Sequence, residues 1–61
     1  MAEEYERLLG LLDNDELRAV ALLKMEGYTN EEIAAQRISA LSTVERRLRL
    51  IRQIWELEIG P

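Results

Sequence analysis

The stretch "EGYTNEEIA", residues 26–34, contains both an instruction to stop a helix and an instruction to start one. Gly27 suits the left-handed position just past a helix end, where a residue with a Cβ is disfavoured. Two residues later, Thr29 and Glu32 stand at the spacing of a capping box. There the threonine side chain accepts from the third amide of the new helix, and the glutamate side chain accepts from the capping residue's own amide. A chain punctuated in this way folds as helices joined by tight turns. The rest of the sequence agrees. Its one proline is Pro61, β-branched residues are too scattered for strands, and apolar residues recur at helical spacing.

Four segments follow from that spacing. The first covers about 2–12 and carries Tyr5, Leu8, Leu9, Leu11 and Leu12. Asp13 or Asn14 can cap a second helix over about 15–26, with Asp15 and Glu16 in its first turn facing the positive end of the dipole. Its apolar face holds Leu17, Val20 and Ala21, widened by Leu22, Leu23 and Met25. The third is the short "NEEIAAQ", with Ile33 beside the small Ala34 and Ala35. A long fourth helix begins near Leu41 or Ser42 and runs to about Glu58, with Val44, Leu48, Ile51 and Trp55 as its buried stripe. The expected fold is all-α: one small four-helix domain over 1–61, with a helix-turn-helix over about 29–57.

A chain of 61 residues buries a modest share of its surface, so its stability rests on apolar packing or on a partner. Cysteine and histidine are both absent, which removes disulfide staples and the usual zinc ligands. "DNDE" opens like a calcium loop, but Arg18 and Lys24 stand where that loop needs glycine and glutamate. The adjacent pairs Glu3/Glu4 and Glu31/Glu32 diverge on a helix and cannot share a proton or a metal. Ser39, Ser42 and Thr43 have no histidine to activate them, and no glycine-rich loop cradles phosphate. No enzyme activity, cofactor or metal is expected. With no apolar run near the ~18 residues of a membrane span and no signal-peptide pattern, a cytoplasmic location and no membrane partner are expected.

Charge is distributed unevenly. Residues 1–35 hold nine acidic and three basic side chains, a balance of −6, whereas residues 36–53 hold five arginines against Glu45 alone, a balance of +4. Opposite the apolar stripe of the fourth helix lie Ser42, Arg46, Arg49 and Gln53, with Glu45 and Arg52 on one flank and Thr43 and Leu50 on the other. A capped short helix, a turn and an arginine-bearing helix make the layout of a helix-turn-helix, whose second helix enters the major groove of DNA. Ser42, Thr43, Glu45, Arg46 and Arg49 occupy the base-reading positions. Arginine can read guanine, and glutamate can accept from cytosine.

"DELRAVALLKMEGYTNEEIAAQ" followed by "STVERRLRLIRQIW" closely resembles region four of extracytoplasmic-function sigma factors, in the sigma-70 superfamily. The resemblance covers roughly residues 8–57 and is most specific in "EGYTNEEIA", "TVERRL" and "LIRQIW". It implies sequence-specific binding to the −35 promoter element, docking on the β flap of the RNA polymerase core, and possible coverage by an anti-sigma factor. It adds Leu41 to the base-reading candidates and makes Thr29, Asn30 and Arg47 candidate contacts to the DNA backbone. It also implies that the region-two domain, which binds the −10 element, lies outside this sequence. The effector domain of LuxR-type response regulators shares "TNEEIA" and "TV" at similar spacing and is the alternative. A second alternative is a helical adaptor or dimerisation module that uses the acidic face and the leucines of residues 8–23.

The turn departs from the family pattern. Where the family has an apolar residue, a glycine, another apolar residue or cysteine and a capping residue, this chain has Arg37, Ile38, Ser39 and Ala40. A branched residue in a left-handed conformation is costly, and so is a buried arginine. A one-residue slip avoids both costs. The expectation is therefore Arg37 exposed, Ile38 buried with ordinary backbone, and Ser39 capping the fourth helix. Trp55 is expected to be largely buried, pinning the end of that helix to the first two.

Overall fold

In the computed structural model, residues 2–59 are described, with side chains over 6–58. Four helices follow one another: α1 (Ala2–Gly10), α2 (Asp15–Met25), α3 (Asn30–Gln36) and α4 (Leu41–Ile59). Tyr5, expected on the apolar face of α1, has its side chain outside the described residues.

Each boundary has a local cause. Asn14 caps α2, its Oδ1 accepting from Glu16 N at 2.7 Å and Leu17 N at 3.2 Å. Arg18 donates from Nε to the Leu12 carbonyl at 2.8 Å, closing the α1–α2 connection. At the far end of α2, Gly27 N donates to Lys24 O and Tyr28 N to Leu23 O. This pair of bonds is the Schellman arrangement, with Gly27 left-handed at φ 100°. The capping box then opens α3: Glu32 N donates to Thr29 Oγ1 at 3.1 Å, and Thr29 N donates to Glu32 Oε1 at 2.8 Å.

The core is Leu12, Leu17, Val20, Ala21, Ile33, Ala34, Val44 and Ile51, all buried, with Leu48 and Trp55 partly buried against it. Helix α4 packs on both α2 and α3. At ~1.5 Å per residue its 19 residues run nearly the 29 Å length of the molecule, so the exposed side of α4 is presented on a rigid rod. Leu22, expected to widen the apolar face of α2, is exposed.

The turn between α3 and α4 overturns the expected slip. Ile38 adopts φ 51° and is 93% exposed. Ile38 N donates to Ala35 O at 3.3 Å and Ser39 N to Ala34 O at 2.9 Å, so α3 ends in the same Schellman arrangement as α2, with isoleucine in the place of glycine. A slip would have relieved an αL cost of about 1–2 kcal/mol but forfeited both of these bonds, each worth about 0.5–1.5 kcal/mol. The second supposed penalty does not arise. Arg37 is exposed, as expected, and its guanidinium binds Glu16 instead of occupying an apolar slot. Ser39 does not cap α4 either: its hydroxyl donates to Arg37 O at 3.2 Å. Ala40 precedes the helix, and its carbonyl accepts from Thr43 N and Val44 N.

Ile38→Gly is therefore expected to stabilise the fold. Relief of the left-handed penalty, less the entropy glycine adds to the unfolded chain, leaves about 0.5–1 kcal/mol. Chemical denaturation reads this directly, and a lower midpoint for the glycine variant would contradict the strain.

Candidate nucleic-acid interface

Helix α4 turns one side to the core and the other to water. Ser42, Glu45, Arg46 and Arg49 are exposed, Leu41 is exposed at the first position, and Thr43 is half-buried on the flank. Among the described residues Arg46, Arg49 and Arg52 take part in no ion pair, whereas Arg18, Arg37 and Arg47 all do. All three lie on α4 and are exposed. Asn30, Glu45 and Arg49 come together with Lys24 and Arg52 around an open groove between α2, the start of α3 and α4, floored by Leu48 and Trp55.

The three residues assigned to backbone contact are placed differently. Thr29 is exposed, and its oxygen already accepts from Glu32 N, but its hydroxyl proton is left for a further acceptor. Asn30 is half-buried and accepts from Lys24 Nζ at 3.0 Å. Arg47 is drawn back from the exposed face: its Nη1 donates to Glu16 Oε2 at 3.3 Å and to Ser39 Oγ at 3.4 Å.

That contact belongs to a cluster that spacing did not reveal. Arg37 donates from Nε to Glu16 Oε2 at 3.0 Å and from Nη2 to Glu16 Oε1 at 2.7 Å, a two-pronged pair that matches the guanidinium fork to the carboxylate. One carboxylate in the first turn of α2 therefore holds both the end of α3 and the second turn of α4. Hydrogen bonds from Arg37, then the charges of Arg37 and Arg47, hold the Glu16 carboxyl below its ordinary 4.5 against a partial desolvation that raises it. The same bonds raise Arg37. A depressed carboxyl stabilises the fold above its unfolded value, so this contribution is complete at neutral pH. It is lost as pH falls below 4.5 and through the lower folded value. The one hint in the sequence was Arg37 itself, a charged residue at an otherwise apolar position that needs an acid nearby.

Among the described residues no cluster of acidic side chains could hold a metal ion, and no helix is long and apolar enough to cross a membrane. No curated protein and no solved structure matches the chain. The sequence model of the ECF sigma factor family matches residues 1–59, nearly the whole chain, and the four-helix architecture agrees with the region-four domain of such factors. That family consists of transcription factors that act with RNA polymerase at promoters and is not a class of enzymes. The chain belongs to the ECF sigma factor family.

Proposed function

We propose that residues 1–61 form a single domain that recognises the −35 element of bacterial promoters, with α3 and α4 as its helix-turn-helix over about 29–57. Leu41, Ser42, Thr43, Glu45, Arg46 and Arg49 face base edges in the major groove, and Thr29 and Asn30 face the phosphate backbone, with Arg47 the third backbone candidate when it is not held by Glu16. The observation that carries this reading is the unpaired arginine face of α4, set opposite the core and directly after a capped short helix and a four-residue turn. A helix in that setting enters the major groove with its first turns leading. The domain also docks on the β flap of the RNA polymerase core in the cytoplasm, where an anti-sigma factor can cover it. Family membership supports the partnership with RNA polymerase.

Two measurements test the DNA assignment. Three or four cationic contacts at roughly 0.9 per phosphate give a log–log salt slope of about −3. Tight binding with a flat salt response would count against the groove assignment. Across a panel of single-base promoter variants, Glu45→Ala and Arg46→Ala are each expected to relax preference at one position, by about 1–3 kcal/mol. Arg52, three residues beyond Arg49 and to the side, should weaken all sequences about equally or do nothing when changed to alanine. If promoter DNA leaves the amide signals of residues 42–49 unmoved, a protein-binding adaptor takes the place of this reading.

A further inference from the structure

Glu16 lies outside every position assigned to DNA, yet it binds two arginines that flank the groove-entering end of α4. Its side chain is 29% exposed, and those of Arg37 and Arg47 are 37% and 32% exposed. The cluster is therefore at the surface and open to competing anions. A carboxylate that accepts two parallel bonds from one guanidinium and a third from another presents to those arginines what a phosphate would present. Glu16 also sits in the first turn of α2, where the helix dipole favours its negative charge. It is not drawn off by any other cation among the described residues.

We infer that Glu16 acts as an internal stand-in for DNA phosphate, holding Arg37 and Arg47 out of the backbone-contact set and so limiting non-specific binding. This rests on the groove assignment above for its relevance to promoters, but the competition itself concerns any phosphate- or sulfate-bearing polymer. Sequence reading by Arg46 and Arg49 is left intact while the sequence-independent attraction that every duplex offers is reduced. In a protein with net charge −4, this device ties two of the five arginines in residues 36–53 to an acid contributed by the other half of the chain. Glu16 is in these terms a positioning residue whose effect passes through the arginines.

The test compares salt slopes of the full chain on heparin and on duplex DNA of unrelated sequence, with folding followed by circular dichroism. Glu16→Gln releases two cations and should steepen the slope by about 1–2 units. That makes its gain in affinity between 200 and 50 mM salt about tenfold larger than that of the native chain. Glu26→Gln, which removes the same charge from an exposed position with no ion pair among the described residues, should leave the slope within about 0.5. Arg37→Gln keeps both turn hydrogen bonds and serves if the Glu16 variant does not fold. Because Arg37 is already neutralised, its loss should change the slope by less than about 0.5, against ~0.9 for a free contact. An unchanged or shallower slope for Glu16→Gln, or a full unit lost with Arg37→Gln, overturns the inference. Arg46→Ala on promoter DNA separates the two readings. If it weakens binding while Glu16→Gln stays flat, only this inference falls. If the heparin slopes behave as stated but promoter and unrelated DNA bind alike, only the promoter assignment falls.

Discussion

Ile33→Ala should cost about 3–4 kcal/mol, a large part of what holds so small a domain folded. Ile33 is fully buried in the same core cluster as Val20 and Val44. Truncating such a residue loses its transfer energy and leaves a cavity, with measured costs of about 2–5 kcal/mol. At roughly 0.05–0.15 kcal/mol per residue, a chain of this length has a total stability of only about 3–9 kcal/mol. Helix α3 has seven residues and cannot hold its shape without that contact, since isolated helices below ~12 residues are marginal in water. The turn and the orientation of α4 go with it. Ile38→Ala makes the same chemical change five residues on, where the side chain is in water, and should shift stability by less than about 0.5 kcal/mol. Urea titrations of the two variants read the contrast, and equal midpoints would mean that the core is wrongly placed.

The helices and most of the core were legible because their determinants are local. Asn14, Gly27 and the Thr29–Glu32 box each act within four residues, and the α4 stripe repeats at helical spacing. The outward set Ser42, Glu45, Arg46 and Arg49 follows from the same periodicity. What was not legible depends on contacts far along the chain. Arg37 and Arg47 meet Glu16 across 21 and 31 residues, and no window of the sequence contains that meeting. The error at Ile38 has the same origin. The costs of a left-handed isoleucine and a buried arginine together favoured a slip, but a distant carboxylate removes the arginine's cost. With one penalty left in place of two, the two Schellman bonds decide the register.

Glu16 joins these points to function. The family pattern meets the turn with an apolar residue and a glycine, which need no distant partner. This chain meets it with an ion pair that ties the turn to α2 and with a strained residue fully in solvent. The turn is thereby held by electrostatics at its surface and by backbone hydrogen bonds beneath. High salt weakens the first and leaves the second, so the turn should outlast its ion pairs.

Trp55→Ala is the other change expected to be severe, at about 3 kcal/mol, although the structure corrects the reason. The indole is half-buried and not largely buried, because it lines the open groove between α2 and α4. Its Nε1 donates to the Leu8 carbonyl at 2.8 Å, across 47 residues. That bond gives α4 a polar anchor on α1, while the ring packs against the core beside Leu48 and Ile51. The Leu8 carbonyl also accepts from Leu11 N at 3.2 Å, so the indole takes the second lone pair of that oxygen. Alanine loses both the ring packing, which dominates the ~3–5 kcal/mol typical of such truncations, and the hydrogen bond, worth about 0.5–1.5 kcal/mol. The partial exposure places the total at the lower end of that range. Trp55→Phe keeps most of the packing and removes the N–H, and should cost about 1 kcal/mol. With α1 released, the amide protons of residues 2–10 should exchange freely in the alanine variant while those of α3 stay protected to the extent that the remaining core holds. Equal losses for Phe and Ala would show that the Leu8 bond carries the whole effect. No loss for either would show that α1 is not docked on the end of α4.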